Sequence, residues 1–250
     1  MEQKEPVLPC YNEAAEIMQP VRLRYKIGNQ REMVARIATL KCLEKKEPAA
    51  LLFWTSAHEV LQMKHGMSLP PFAETSVLLG NIELRATEVL VIVNSIERAA
   101  FAILFFDKHF GSKVISVETM DVCNKLYKNS EKNSLRYSVI ESFFENKTFE
   151  DSNTVQEFVD TILNGSKKDK PREKNRKQLA AIVQNEKKPI FENKKVTFYS
   201  KDGIESVKYT LKLAQTLALR HLQGETQLTM FDLMSEMRQA AYEKSPHSKY

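Results

Sequence analysis

Hydrophobic and polar positions alternate strictly over residues 20–27: Val21, Leu23, Tyr25 and Ile27 fall on one face, Arg22, Arg24 and Lys26 on the other. A period of two predicts a half-buried strand with a basic outer face. The period then lengthens. Asn29 with Glu32 three residues on reads as a capping box, and Met33, Ile37 and Leu40 form the stripe of a helix that Pro48 ends. Residues 49–54 read as an interior strand, 56–65 as a helical turn, and 76–84 and 87–93 as further β-rich runs, either one bent strand or two. Val89 to Val93 are contiguous and mostly β-branched, which suits a strand covered on both faces. Ser95 caps an amphipathic helix with Phe101, Ala102, Phe105 and Phe106 in register, and residues 113–117 give another strand. Strand, helix, two strands, helix, strand is the order of a ferredoxin-like βαββαβ sandwich of the α+β class; an open α/β sheet with parallel crossovers is the alternative.

The second half is mainly helical. Short helices are expected at 119–127, 135–144 and 155–163, and a small hairpin over 190–199 turning at Asn193 and Lys194. Ile204, Val207, Leu211, Ala214 and Ala218 recur at spacings of three and four and predict a long helix that Gly224 breaks. Thr229 caps the next, with Asp232 in its first turn and Met230, Leu233, Met237 and Ala240 as its stripe. The chain thus divides into an arm (1–19), an α+β sandwich (20–128), a charged linker with short helices (129–178) and a helical C-terminal part (179–250).

At 42% hydrophobic and 28% charged residues over 250 positions, the composition is that of a soluble globular protein. The net charge of +5 is unevenly placed. Residues 1–126 hold 15 Lys and Arg against 15 Asp and Glu, whereas 165–188 hold 9 against 3. Three widely spaced cysteines, Cys10, Cys42 and Cys123, argue for a reducing compartment, the cytoplasm. The opening MEQKEPVLPC lacks the basic start and apolar run of a signal peptide. The longest apolar runs, 89–93 and 99–106, fall far short of the ~20 residues a membrane span needs.

Catalytic and cofactor motifs are absent. The seven glycines include no G-x-G pair, so neither a phosphate-cradling loop nor a dinucleotide fingerprint can be drawn, and no cofactor is expected. LPCYNEA, residues 8–14, resembles the nucleotide-binding opening of family 2 glycosyltransferases. Those enzymes place it after a buried strand and before a D-x-D metal site; here only MEQKEPV precedes it and no D-x-D occurs. HEVLQMKH (58–65) begins like a zinc-binding H-E-x-x-H, but Gln62 stands where the second ligand must be, so no metal site is expected. Asp107, Glu118 and Asp121 are the carboxylates near predicted strand ends.

What remains is binding. Lys167, Lys168, Lys170, Arg172, Lys174, Arg176 and Lys177, with Arg22, Arg24 and Lys26 on the strand, form a set able to neutralise the phosphates of an RNA or DNA backbone. The aromatics with which an RNA-recognition module stacks bases are missing from 76–93, and Tyr25 shares the face of Val21 and Leu23. The expected protein is therefore a non-enzymatic cytoplasmic binding protein contacting nucleic-acid phosphates. The alternative is a protein-interaction subunit using the adaptable apolar band Met230, Phe231, Met234 and Met237.

Overall fold

Alternation becomes structure in β1 (Val21–Ile27), where Val21, Leu23 and Tyr25 are all buried. The computed structural model of the chain describes residues 7–46, 50–63, 76–130, 140, 144–145, 150–151, 191–196 and 201–243, with backbone alone at 150–151, 191, 201–207, 210 and 241–243. After β1 come α1 (Gln30–Thr39), β2 (Leu43–Lys46), β3 (Leu51–Thr55), β4 (Leu78–Leu84), β5 (Glu88–Val93), α2 (Ile96–Phe110), β6 (Ile115–Cys123), β7 (Glu150–Asp151), β8 (Phe191–Lys195), α3 (Lys201–Leu222) and α4 (Met230–Glu243).

The strands form one open sheet in the order β2-β3-β4-β5-β1-β6-β8-β7. All neighbours are antiparallel except the two-residue pairing of β7 with β8. The α+β class expected from the sequence holds. The order is not that of a ferredoxin fold, because strands continue the sheet beyond both β4 and β6. Apart from that short β7–β8 pair, the parallel pairing of an open α/β sheet does not occur among the described residues. Periodicity assigns a side chain to a face; it does not choose the neighbouring strand.

Three boundaries differ from expectation for the same reason. α1 ends at Thr39, where Leu40 turns extended (φ −85°, ψ 113°), and residues 43–46 pair with β3 instead of prolonging the helix towards Pro48. β6 runs on to Cys123 where a short helix was expected, because its second half completes the ladder with β1. β8 passes straight through Asn193 and Lys194, the expected hairpin turn, because both pair with β6. In each case backbone partners elsewhere in the chain decide the conformation. The expected helices over 135–144 and 155–163 lie outside the described residues, apart from Ile140 and Phe144.

The core lies between one sheet face and α1 and α2. Trp54 stands at its centre, 5.8 Å from the stacked ring of Phe101 and 5.4 Å from Phe105 and Phe106, with Tyr25 edge-on to Phe106. α2 is covered on two sides. Most of its side chains from Ile96 to Phe110 are buried, since α3 packs on it and adds Leu211 to the same core. Residues 8–18, placed in the arm by sequence, form a hairpin at the sheet's end. It is bridged Tyr11 to Ile17, and Pro9 to Lys128 after β6. Cys10, Met18, Cys123 and Tyr127 form a buried cluster beneath it. Among the described residues no helix is long and apolar enough to cross a membrane.

Candidate functional site

Of the ten cations expected to contact phosphate, Arg22, Arg24 and Lys26 lie within the described residues; Lys167, Lys168, Lys170, Arg172, Lys174, Arg176 and Lys177 lie outside them. The three strand residues share the outer face, as alternation requires, and that face is neither bare nor purely basic. β6 carries one extra residue opposite β1, Glu118, between the pairs Tyr25–Val117 and Arg24–Thr119. This bulge shifts the pleat by one, so that Asp121 stands opposite Arg22 instead of pointing into the core. Asp121 Oδ2 accepts from Arg22 Nε at 2.8 Å and Arg24 Nε at 3.0 Å, and Oδ1 from Asn193 Nδ2 at 2.6 Å. Glu88 lies 3.5 Å from Arg24.

Arg22 and Asp121 are both buried, and the Arg22 guanidinium sits 5.1 Å above the ring of Phe144. Phe144 and Ile140 pack on Ile92 and so help cover the outer face. Burial pulls the Arg22 pKa below the usual arginine range, against the opposing pull of Asp121. Lys26 is the member of the trio that stands in solvent, its side chain 67% exposed and 4.0 Å from Glu118. The strand cations are thus built into an ion-pair network with carboxylates of β5 and β6.

A second polar cluster, unsignalled by any motif or periodicity, surrounds the N-terminus of α2. Arg98 is fully buried, with Nε 3.1 Å from Glu16, Nη2 2.6 Å from Glu13 and Nη1 donating to the Leu78 carbonyl at 2.9 Å. Glu16 also accepts from Ser95 Oγ at 2.8 Å and Asn12 Nδ2 at 2.7 Å, while Ser95 caps the helix by accepting from the Arg98 N–H. Asn12 closes the hairpin turn, its Oδ1 accepting from the N–H groups of Ala14 and Glu16. Chemically this is a clasp: the N-terminal hairpin supplies the negative charge that a buried cation requires.

Elsewhere burial and local hydrogen bonds perturb single titratable groups. Glu59 accepts from the N–H groups of Lys41 and Cys42 at 3.2 and 3.0 Å; burial pushes its pKa up, and its own backbone N–H together with these bonds outweighs burial and holds the group below the usual range. Burial raises the pKa of the Cys42 thiol, and carries Cys123 up to about 11, so neither is a ready nucleophile. Burial raises Asp107 and lowers His109. Among the described residues no group of three or more His, Cys, Asp or Glu is arranged to hold a metal ion.

The four residues of the apolar band divide. α4 meets α3 through Leu233, which is buried against Leu213 and Leu217 with Leu228 and Met230 packed alongside. Phe231, Met234 and Met237 are 51%, 45% and 43% exposed, although they lie on adjoining turns of the same helix. Thr229 and Asp232 fix the start of α4 reciprocally, the Asp232 N–H donating to Thr229 Oγ1 at 3.2 Å and Thr229 Oγ1 to the carboxylate at 2.6 Å. Arg238 is exposed at the edge of this face and forms no ion pair among the described residues. The spacing of seven from Phe231 to Arg238 was present in the sequence, but which half of the stripe α3 covers was not.

Comparison with known proteins adds no likeness to this geometry: no family model, no curated protein and no solved structure matches the chain.

Proposed function

We propose that the chain is a binding protein that docks a protein partner on the uncovered apolar face of α4. One observation carries the reading: Leu233 alone of the four large apolar side chains 231, 233, 234 and 237 is buried, while Phe231, Met234 and Met237 stand about half exposed in a row. Isolated exposed apolar residues are ordinary, but aligned aromatic and methionine side chains are the composition of adaptable partner surfaces. Three buried cysteines, none of them in a disulfide among the described residues, support a reducing compartment such as the cytoplasm as the setting.

The test compares the intact chain with a Phe231→Glu/Met234→Glu variant in affinity capture from its native extract at high salt. A protein retained at high salt by the wild type and lost by the variant supports the reading, a second copy of the chain included. Retention of nucleic acid alone, released by salt and unaffected by the two substitutions, overturns it in favour of phosphate contact through residues 167–177 and Lys26.

A further inference from the structure

Resting on that reading of α4, we infer that the occupant of its face is α4 of a second copy of the chain, packed antiparallel about a two-fold axis at Met234. The argument is self-complementarity. An isologous contact requires that each group on the surface find its counterpart elsewhere on the same surface. Phe231 lies three residues before Met234 and Arg238 four after it, on the same edge of the helix. At ~1.5 Å rise per residue, an antiparallel copy centred on Met234 brings Arg238 of each chain to within about 1.5 Å, along the axis, of Phe231 of the other.

An exposed aromatic ring and a cation with no carboxylate partner among the described residues are then paired twice over, ring face to guanidinium. In the same register the two Met234 side chains meet on the axis. A parallel arrangement would instead set Arg238 against Arg238. Asp232 and Glu236 do not oppose the antiparallel register. Asp232 is engaged by Thr229, and Glu236 by Arg220 of α3 at 3.2 Å.

The area sets the strength. Three half-exposed large side chains offer roughly 300 Å² per copy, well below the ~800 Å² that each partner of a stable complex contributes, so the dimer is weak and exchanges readily.

Sedimentation equilibrium of the full chain over a wide concentration range tests this. The expected result is a reversible monomer–dimer equilibrium that Phe231→Arg weakens about tenfold, since each dimer loses two cation–π contacts and gains two like-charge ones. The swapped variant Phe231→Arg/Arg238→Phe restores the reciprocal pairing and recovers most of that loss. Both positions are exposed, so folding is not at stake, and the buried Trp54 reports it by fluorescence. A chain that stays monomeric at the highest concentration, or a dimer indifferent to both variants, overturns the inference. Salt-resistant capture of a different protein through Phe231 and Met234 would leave the α4 reading standing while this inference fell.

Discussion

The guanidinium of Arg98 and the carboxylate of Glu16 meet at 3.1 Å with both side chains buried, across a sequence separation of 82 residues. Their contact ties the hairpin at residues 8–18 to the first turn of α2. Removing the acid leaves a buried cation short of its counter-charge, whereas removing both charges does not. Glu16→Ala is therefore expected to lower stability by ~3 kcal/mol. The double variant Glu16→Ala/Arg98→Met should be clearly less destabilised than the sum of its two single changes. Urea denaturation followed by Trp54 fluorescence measures the cycle, and strict additivity would refute the clasp.

Gly80 sits where β4 passes Trp54 on one side and Val93 on the other. A Cβ there would lie 2.6 Å from the Ile92 carbonyl oxygen and 2.9 Å from a Val93 methyl group. The backbone atom cannot yield without moving β5. Gly80→Ala is expected to destabilise by ~1–3 kcal/mol through this overpacking alone, read as a fall in the urea midpoint.

The two halves of the α4 stripe should respond differently to truncation. Leu233→Ala removes a buried anchor against Leu213 and Leu217 and should cost ~2 kcal/mol or more. Phe231→Ser and Met234→Ser each alter an exposed side chain and should stay within ~0.5 kcal/mol of wild type. Thermal melts by circular dichroism distinguish the outcomes, and a large loss at Phe231 would place it in the core.

His109 packs on Phe105 at 4.5 Å, and its Nε2 is buried with no hydrogen-bond partner among the described residues. Burial first, then neighbouring Lys108, holds its pKa below the usual histidine value, with Glu59 pulling the other way. The unfolded chain therefore binds a proton more readily than the folded one. The resulting stability is complete above the unfolded pKa near ~6.5 and is lost as pH falls through that value toward the folded one. Urea midpoints should drop between pH 7.5 and 5.5, and His109→Gln should flatten the dependence. An unchanged slope in the variant would assign it to other groups.

Local signals in the sequence proved legible where the physics is local. Asn29 Oδ1 accepts from the Glu32 N–H at 3.1 Å and Ser95 Oγ from the Arg98 N–H at 3.1 Å, both caps falling at their expected positions. Tyr25, assigned to the core by alternation, is buried against Phe106. The surroundings of Arg22 were not legible, because alternation says that its side chain leaves the core face and nothing about what lies beyond. Its partner Asp121 follows 99 positions later and reaches the right face only through a one-residue bulge. The Arg98 clasp was hidden in the same way, as no periodic pattern links positions 16 and 98. For α4 the stripe was readable and its division was not, since that depends on how much of it α3 covers.

The encasement of α2 has a consequence for how the protein is made. The helix emerges from the ribosome with β1 to β5 already available to cover one side, but Leu211, which helps close the other, follows about a hundred residues later. During that interval part of the apolar surface of α2 has no lid. Nascent chains halted shortly after β6 should therefore hold chaperones and aggregate readily, and release from both should coincide with the appearance of α3.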